Sequence, residues 1–172
     1  AAAEDIPRVR EMIERYPLGK VKEVVSGGAE RQDSVWAGIQ SVRNDWVLIH
    51  DGARPLIRQE TISRLIASIS DKVPAATLGV PVKDTVKRAD QNGKILETLD
   101  RKSLWAIQTP QAFRLDILKK AHLMARESGW MGTDDAVLVE RMGIPVQIVM
   151  GDYGNIKITT PEDLNLATSL LR

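Results

Sequence analysis

The sequence predicts an α/β fold with a mostly parallel β-sheet flanked by helices. Apolar segments of strand length alternate with segments in which apolar residues recur at helical spacing. The run WVLI at 46–49 is apolar throughout, which is typical of a parallel strand buried on both faces. A chain of 172 residues is long enough to bury one core, so we expect a single domain over residues 1–172.

Helices and strands alternate through the first half of the chain. Ile6, Val9 and Ile13 recur at helical spacing, and Asp5 is a candidate N-cap for this helix. The predicted elements that follow are a strand at 21–25, a helix with Val35, Ile39 and Val42 on one face, a strand at 46–50, a helix with Ile62, Leu65, Ile66 and Ile69 on one face, and a strand at 75–82. Since ligands of such sheets bind beyond the carboxyl ends of the strands, the loops that follow the strands are the first candidates for a site.

A β-hairpin interrupts the alternation. The segments TVKRA and KILETL flank the turn DQNG at 90–93, and its Asn92-Gly93 pair is a strong hairpin signal. Such an inserted hairpin is either an edge decoration or an arm that reaches another group. The elements predicted after it are a helix with Leu115, Leu118, Ala121 and His122 on one face, a helix at 134–143, strands at 145–151 and 155–159, and a last helix at 162–171 that begins with Thr160 as N-cap and Pro161 in the first turn.

Composition excludes several classes of function. The absence of cysteine rules out disulfides, thiolate catalysis and cysteine-based zinc sites. The formal net charge of +1 argues against binding nucleic acid through bulk electrostatics. The two histidines lie far apart in the chain, and no apolar run approaches the roughly 20 residues of a membrane span. We therefore expect an intracellular enzyme or binding domain.

The loop HDGARP at 50–55 places an acid and a cation around a glycine, directly after an apolar strand. Asp51 is suited to hold Mg²⁺ or a sugar hydroxyl, and Arg54 is suited to hold a phosphate through its bidentate guanidinium. His50 is interpreted as a packed residue at the strand end rather than a base. The structural alternative is an Asp51–Arg54 ion pair that only fixes the loop.

The segment SGGAERQDSV at 26–35 joins a predicted strand to a predicted helix. Its glycines permit close approach of a ligand to the backbone, and the N-terminus of the helix offers free N–H groups to an anion or a base edge. The structural alternative is a tight turn. Neither the Rossmann glycine fingerprint nor the phosphate-loop lysine pattern occurs, so the common nucleotide motifs are absent from the sequence.

Lys157 is the most informative of the remaining cations. It interrupts the apolar run NIKIT, where a solvated lysine is not needed and a charge requires a partner. For Lys87 and Arg88 a solvated surface is the preferred interpretation. Thr109 precedes Pro110, and a local turn closed by the threonine hydroxyl is its structural alternative. The other candidates are Lys83, Thr85, Arg101 and Thr133.

An ordered set of stretches resembles the 2-C-methyl-D-erythritol 4-phosphate cytidylyltransferase family. The stretches are GGAERQDSV, HDGARP, VPVKDTVKR, LDRKSLWAIQTPQAF, TDDAVLVE and DYGNIKITTPEDL, which cover the chain from about Ser26 to its end. The resemblance implies a Rossmann-like α/β domain with a protruding β-hairpin arm at about 83–101, and a homodimer whose arms cross. It also implies transfer of a cytidylyl group from CTP to 2-C-methyl-D-erythritol 4-phosphate with release of pyrophosphate, in non-mevalonate isoprenoid biosynthesis. Mg²⁺ is the expected metal.

The family's functional positions can be carried onto this sequence. The resemblance implies nucleotide contacts at Gly28, Ser34, Asp51 and Gly52. It implies contacts to the sugar phosphate at Asp51, Arg54, Thr85, Arg101, Thr109, Thr133 and Lys157, with Thr85 and Arg101 serving the site of the second subunit. Arg101 and Lys157 are the implied catalytic cations, because they orient the attacking phosphate, and Asp51 is the candidate magnesium ligand.

One part of the family pattern does not occur in these residues. The family begins with a strand, a glycine-rich loop carrying an arginine, and a Pro-Lys-Gln segment, which hold the triphosphate. The sequence instead opens with AAAEDIPRV and without methionine. We therefore expect an upstream segment in the parent protein, and we expect the 172 residues alone to be catalytically inactive.

Two alternatives remain at the level of sequence. A ribitol 5-phosphate cytidylyltransferase shares the fold and most nucleotide contacts, and differs in the pocket for the second substrate. A non-catalytic dimerising or ligand-binding fragment keeps the arm but not the chemistry. The expected compartment is the bacterial cytoplasm, with a plastid as the alternative.

Overall fold

The computed structural model describes residues 1–171, and its alternation of helices and strands confirms the α/β fold class. In chain order the elements are α1 (Ile6–Arg15), α2 (Arg31–Gln40), β1 (Trp46–Ile49), α3 (Gln59–Ser68), β2 (Ala75–Pro81), β3 (Lys87–Ala89), β4 (Ile95–Thr98), β5 (Trp105–Arg114), α4 (Leu115–Glu127), α5 (Asp135–Glu140), β6 (Gln147–Met150) and α6 (Pro161–Leu170). The chain divides into two compact units: unit 1 holds residues 1–49 and 113–146, and unit 2 holds residues 50–112 and those from 147 onward. Within residues 1–171, none of the helices combines the length and apolar character needed to cross a bilayer.

Unit 1 is built mainly from helices. α4 packs against both α2 and α5. Ile39 of α2, Leu118 of α4 and Leu138 of α5 are each at most 1% exposed and lie in its apolar core. Burying a side chain of this size contributes about 1.5–3 kcal/mol, so the apolar stripes predicted from helical spacing account for this packing.

The central strand of unit 2 is β2. It pairs in parallel with β6, from Ala76 opposite Gln147 to Gly79 opposite Met150, and β5 is its other neighbour. Helix α3 packs on β2 and β6. Residues 75–80 are all buried, as expected of a parallel strand covered on both faces.

The predicted hairpin arm is confirmed as an antiparallel pair of β3 and β4. Gly93 adopts a φ of 80°, a left-handed conformation that favours glycine in the turn. Asp90 closes the turn, because its Oδ1 accepts from the backbone N–H of Asn92 and of Lys94, both at 2.9 Å. Every residue of both strands is exposed, so the solvated surface predicted for Lys87 and Arg88 is confirmed.

The strand predicted at 21–25 is wrong, since this segment has no strand in the structure. Its backbone contacts are scattered: the Ala1 amino group donates to the Val25 carbonyl at 3.2 Å, and the Val21 N–H donates to the Leu18 carbonyl at 2.9 Å. A strand requires a partner that continues over several residues. The apolar pattern of VKEVV therefore does not suffice to form one here.

The strand predicted at 155–159 is also wrong. Asn155 N–H donates to the Asp152 carbonyl at 3.0 Å, which closes a turn, and Ile158 N–H donates to the Ala53 carbonyl at 2.8 Å. These contacts leave the segment as a loop tied to other loops. We call residues 151–157 the lysine loop, because it carries Lys157.

Helix starts were predicted with mixed success. Thr160 caps α6 as expected, and Asp163 completes a capping box with it. Asp5 occupies the N-cap position of α1, but its side chain makes no capping hydrogen bond.

Candidate functional site

Five residues of unit 2 meet next to the loop that follows β1. We call Asp51, Arg54, Thr109, Asn155 and Lys157 the strand-end cluster. Lys157 Nζ lies 3.1 Å from Asp51 Oδ2, and the two side chains are 45% and 16% exposed. The sequence predicted that the charge of Lys157 needs a partner, and that partner is Asp51. Part of the lysine side chain remains open to solvent.

Thr109 fixes the loop that contains Asp51. Its hydroxyl oxygen accepts from the Asp51 backbone N–H at 3.0 Å and lies 3.0 Å from His50 Nδ1. His50 Nε2 in turn lies 3.1 Å from the Arg54 carbonyl oxygen. His50 is exposed, so its interpretation as a packed residue is wrong. The Thr109 hydroxyl reaches another loop, and the alternative of a purely local threonine turn is excluded.

Arg54 is the most strongly desolvated cation of the strand-end cluster. Its Nη1 donates to the Asn155 carbonyl at 2.7 Å. Its Nε is buried and has no hydrogen-bond partner within residues 1–171. Burial lowers the pKa of the Arg54 guanidinium, and the negative charge of Asp51 opposes this shift. Because arginine stays protonated in proteins, the group offers a charged donor that an anion can satisfy.

Asn155 holds the cluster together, although it was not among the residues predicted from the sequence. It is fully buried. Its Nδ2 donates to the Thr109 carbonyl at 2.9 Å and lies 3.4 Å from Gln108 Oε1. Gln108 Nε2 also donates to the Asp152 carbonyl at 2.8 Å, so the lysine loop is bound to β5 by side-chain amides.

The sequence carried only a weak signal for Asn155. An asparagine next to a glycine is typical of an ordinary turn. Its partner Gln108 lies in β5, which was not predicted as a strand because Gln108, Thr109 and Pro110 together resemble a loop. The polar residues of β5 are nonetheless buried, with Gln108 6% and Thr109 5% exposed.

Thr85 and Arg101 lie in the arm region of unit 2. Both are exposed. Arg101 Nη1 donates to the Lys83 carbonyl at 2.8 Å. The structure thus brings Asp51, Arg54, Thr109 and Lys157 together, while Arg101 contacts the base of the arm.

Gly28 and Ser34 lie in unit 1, at the N-terminus of α2. Gly28 N–H donates to Ser34 Oγ at 3.2 Å, and Ser34 Oγ contacts the Glu30 carbonyl at the same distance. A Cβ on Gly28 would lie 2.3 Å from Asp33 Cβ, so glycine is required by packing within the loop. Gly52, in unit 2, differs, because a Cβ there would meet open space.

The first turn of α2 is tied to the segment that contains Thr133. Arg31 Nη1 lies 2.8 Å from Asp135 Oδ2, and Gln32 Oε1 accepts from the Gly132 N–H at 3.0 Å. Asp135 is 1% exposed, and His122 Nε2 lies 2.9 Å from its Oδ1. Thr133 itself is exposed, directly before the cap of α5. Asp135 is a second organising residue that sequence reasoning missed.

The acidic residues decide what kind of metal could bind. Residues 1–171 contain no group of three or more histidine or carboxylate side chains able to hold an ion. Asp51 is the carboxylate of the strand-end cluster, and it is engaged by Lys157. Mg²⁺ at phosphate-transfer sites is held by one or two carboxylates together with substrate phosphates. The cluster fits an ion that arrives with a phosphate ligand, and does not fit a metal held by protein side chains alone.

Known proteins share extensive sequence similarity with this chain. A model of the 2-C-methyl-D-erythritol 4-phosphate cytidylyltransferase family matches residues 2–172. A curated protein of that name from Bacillus velezensis is 49% identical over 165 residues, which are 95% of this chain and 70% of the relative. Another, from Caldanaerobacter subterraneus, is 53% identical over 163 residues, which are 94% of this chain and 71% of the relative.

Solved structures show the same similarity. The 4-diphosphocytidyl-2C-methyl-D-erythritol synthase of Anaerococcus prevotii superposes with a TM-score of 0.88 at 30% identity, covering 99% of this chain and 75% of that one. The 2-C-methyl-D-erythritol 4-phosphate cytidylyltransferase of Thermus thermophilus gives 0.78 at 36% identity, covering 85% and 71%. The family model spans almost the whole sequence, and the strand-end cluster is formed by the stretches that carry the resemblance. The chain belongs to the 2-C-methyl-D-erythritol 4-phosphate cytidylyltransferase family.

Proposed function

We propose that this protein transfers the cytidylyl group of CTP to 2-C-methyl-D-erythritol 4-phosphate. The observation that carries the proposal is the strand-end cluster, in which Lys157 and Arg54 place two cations around Asp51 in a member of this enzyme family. The products are 4-diphosphocytidyl-2-C-methylerythritol and pyrophosphate. The bacterial origin of the relatives named above supports the bacterial cytoplasm as the compartment.

The proposed reaction is one displacement at phosphorus. A phosphate oxygen of methylerythritol phosphate attacks the α-phosphorus of CTP and forms a new P–O bond. The bond from that phosphorus to the oxygen bridging toward the β-phosphate breaks, and its electron pair leaves with pyrophosphate. Two anions must approach each other in this step, so catalysis depends on positioning and charge neutralisation more than on a general base.

We propose that the cationic and hydroxyl side chains predicted from the sequence bind and orient the sugar phosphate. Lys157 is proposed to orient the attacking phosphate, and Arg54 to bind it through its guanidinium, which lies close enough to Asp51 for their charges to interact. Thr109 and Thr133 are proposed to donate hydroxyl hydrogen bonds to the same substrate. Arg101 is proposed as the second catalytic cation, with Thr85 beside it, both acting from the arm.

We assign the nucleotide side to Gly28, Ser34, Asp51 and Gly52. The open space at Gly52 supports close approach of a ribose to the backbone there. The packing requirement at Gly28 supports a rigid loop beneath the base. Local packing therefore requires a glycine at position 28, whereas the glycine at position 52 is proposed to leave room for the ribose.

Mg²⁺ is proposed to enter as the CTP complex, with Asp51 as its protein ligand. A bound divalent ion neutralises negative charge on the phosphates during displacement. The role of Lys157 toward Asp51 is then to hold the carboxylate in place before the nucleotide binds, because their oxygen and nitrogen are already 3.1 Å apart.

We further propose a homodimer formed through the arm. Ile95 and Leu96 of β4 are 59% and 57% exposed, which is a large exposure for two adjacent aliphatic side chains on a hairpin. A second copy of the chain would cover them. The same association would bring Thr85 and Arg101 to the site of the other subunit.

Product identification tests the proposed reaction. The protein in its longest natural form is mixed with CTP, Mg²⁺ and methylerythritol 4-phosphate, and the products are followed by phosphorus NMR. We expect the signals of a diphosphate diester and of pyrophosphate to grow together. Hydrolysis of CTP to CMP without the diester would contradict the proposal.

A further inference from the structure

The base of the arm is fixed by contacts that lie outside the residues assigned to the substrates. We define the arm base as residues 81–83 and 101–104. Val82 N–H donates to the Leu104 carbonyl at 3.0 Å, and Arg101 Nη1 donates to the Lys83 carbonyl at 2.8 Å. The direction in which the arm leaves unit 2 is therefore set where these two segments meet.

Tyr153 of the lysine loop touches the arm base in two ways. Its hydroxyl donates to the Pro81 carbonyl at 2.8 Å. Lys83 Nζ lies 3.6 Å from the centroid of its ring, which is within the range of a cation–π contact. One side chain thus holds both the backbone of β2 at its end and the first cation of the arm.

The lysine loop is held in place by contacts on both sides of Tyr153. Asp152, which precedes Tyr153, accepts from Gln108 through its carbonyl at 2.8 Å and pairs with Arg58 at 3.2 Å. Asn155, two residues later, is fully buried and bound to Thr109. Tyr153 is 46% exposed and projects from between these two anchors.

We propose that Tyr153 is a positioning residue that sets the orientation of the arm, and with it the placement of Arg101 and Thr85. The Tyr153 ring holds Lys83, the Lys83 carbonyl holds the Arg101 guanidinium, and the Tyr153 hydroxyl holds Pro81. Tyr153 does not contact substrate in this account. The effect on catalysis rests on the proposed function, whereas the effect on the arm does not.

The contact predicts a selective kinetic effect. Loss of an exposed cation–π contact and of one hydrogen bond is expected to weaken handling of the sugar phosphate by about three- to tenfold. The KM for methylerythritol phosphate should rise by that factor in Tyr153→Leu, while the KM for CTP stays within about twofold. Tyr153→Phe keeps the ring under Lys83 and should lie between this variant and the wild type.

The experiment combines these kinetics with hydrogen exchange on the protein in its longest natural form. Tyr153→Leu, Lys83→Met and the double variant are compared with the wild type, and Tyr16→Leu serves as the matched control because Tyr16 is 51% exposed and lies in unit 1. We expect faster exchange at the amides of the arm base in both single variants, and a larger effect in Tyr153→Leu because it also removes the hydrogen bond to the Pro81 carbonyl. The double variant should exchange no faster than Tyr153→Leu, since the contact between Lys83 and the ring is already lost there. Lys83→Arg retains a cation and should restore slow exchange.

Two outcomes would overturn the proposal. One is exchange at the arm base of Tyr153→Leu as slow as in the wild type. The other is an equal rise in both KM values accompanied by faster exchange throughout the chain, which a merely structural role would give. If the wild type does not use methylerythritol phosphate at all, the proposed function fails, and the exchange result still decides whether Tyr153 orients the arm.

Discussion

Lys157 shows how one side chain links fold and chemistry at the residue scale. It is 45% exposed but already paired with Asp51, which is 16% exposed. A partly buried carboxylate needs such a partner, because an unpaired charge in that position is costly. The lysine that stabilises Asp51 is also the one whose exposed part can meet a second anion.

Lys157→Met should reduce kcat by at least about a hundredfold, the usual loss when one donor to a transition state is removed. Lys157→Arg keeps the charge and should retain more activity. Steady-state pyrophosphate release measures both, and Lys72→Met, which removes an exposed lysine of unit 2, is the control. Unchanged turnover in Lys157→Met would contradict the assignment of this residue to catalysis.

Asn155 is fully buried and hydrogen-bonded to the Thr109 carbonyl, so its replacement should reduce stability as well as activity. Asn155→Ala removes the buried amide that donates to the Thr109 carbonyl, at an expected cost of about 1–3 kcal/mol in the free energy of unfolding. Urea unfolding measures this loss.

The exposed Asn165 of α6 provides the matched control, since Asn165→Ala removes the same amide without burial. Equal stability of the two variants would show that the buried amide network does not hold the lysine loop.

At the element scale, local signals predicted some elements well and others not at all. The continuous apolar run of β2, the Asn92-Gly93 turn and the Thr160 cap each depend on neighbouring residues only, and all three were predicted. The segments 21–25 and 155–159 have strand-like patterns, but the described residues offer them no continuous pairing partner, which a local pattern cannot reveal.

β5 was missed for the opposite reason. Its polar residues are typical of a loop, yet the fold supplies buried partners for them: Gln111 Nε2 donates to Thr77 Oγ1 at 3.1 Å, and the Thr77 hydroxyl donates to the Gln108 carbonyl at 3.2 Å. Such partners come from distant parts of the chain. The same cause hid Asn155 and Asp135 from sequence reasoning. Asp51, Arg54, Thr109 and Lys157 were singled out from their local sequence, and the family resemblance then assigned their roles.

The capping box of α6 makes a pH-dependent contribution to stability. Hydrogen bonds from the backbone N–H groups of Thr159 and Thr160, and from the Thr159 hydroxyl, lower the pKa of the Asp163 carboxyl below its ordinary value. A lowered pKa in the folded state means that the contribution is fully present above the unfolded value of about 3.9 and is lost as the pH falls through the folded value.

Thr160→Ala should lower the free energy of unfolding by about 1 kcal/mol, since it removes the hydroxyl that accepts from the Asp163 N–H. Asp163→Asn should remove the part of the acid dependence that belongs to α6. Urea unfolding across acidic pH measures both effects. An acid dependence identical in Asp163→Asn and the wild type would contradict the role given to this carboxylate.

At the scale of the whole molecule, the exposed arm is the feature whose role cannot be explained within a single copy of the chain. It is exposed along both strands, and it carries Ile95 and Leu96. The sequence predicted its existence from the turn, but its purpose came from the family resemblance alone. The proposed homodimer gives these side chains a partner.

Replacement of both Ile95 and Leu96 by aspartate should convert the proposed dimer to a monomer and abolish the proposed contribution of Arg101 to the other subunit. Light scattering coupled to size-exclusion chromatography measures the mass. Leu164→Asp is the control, because Leu164 of α6 is also 57% exposed. A monomeric wild type, or a double variant that remains a dimer, would contradict association through the arm.

The acceptor preference of the protein in its longest natural form tests the central claim most directly. Pyrophosphate release from CTP and Mg²⁺ is measured with methylerythritol 4-phosphate and with ribitol 5-phosphate side by side. We predict release with methylerythritol phosphate only. Release with ribitol 5-phosphate only would keep cytidylyl transfer and contradict the proposed substrate, and no release with either acceptor would contradict the proposed function.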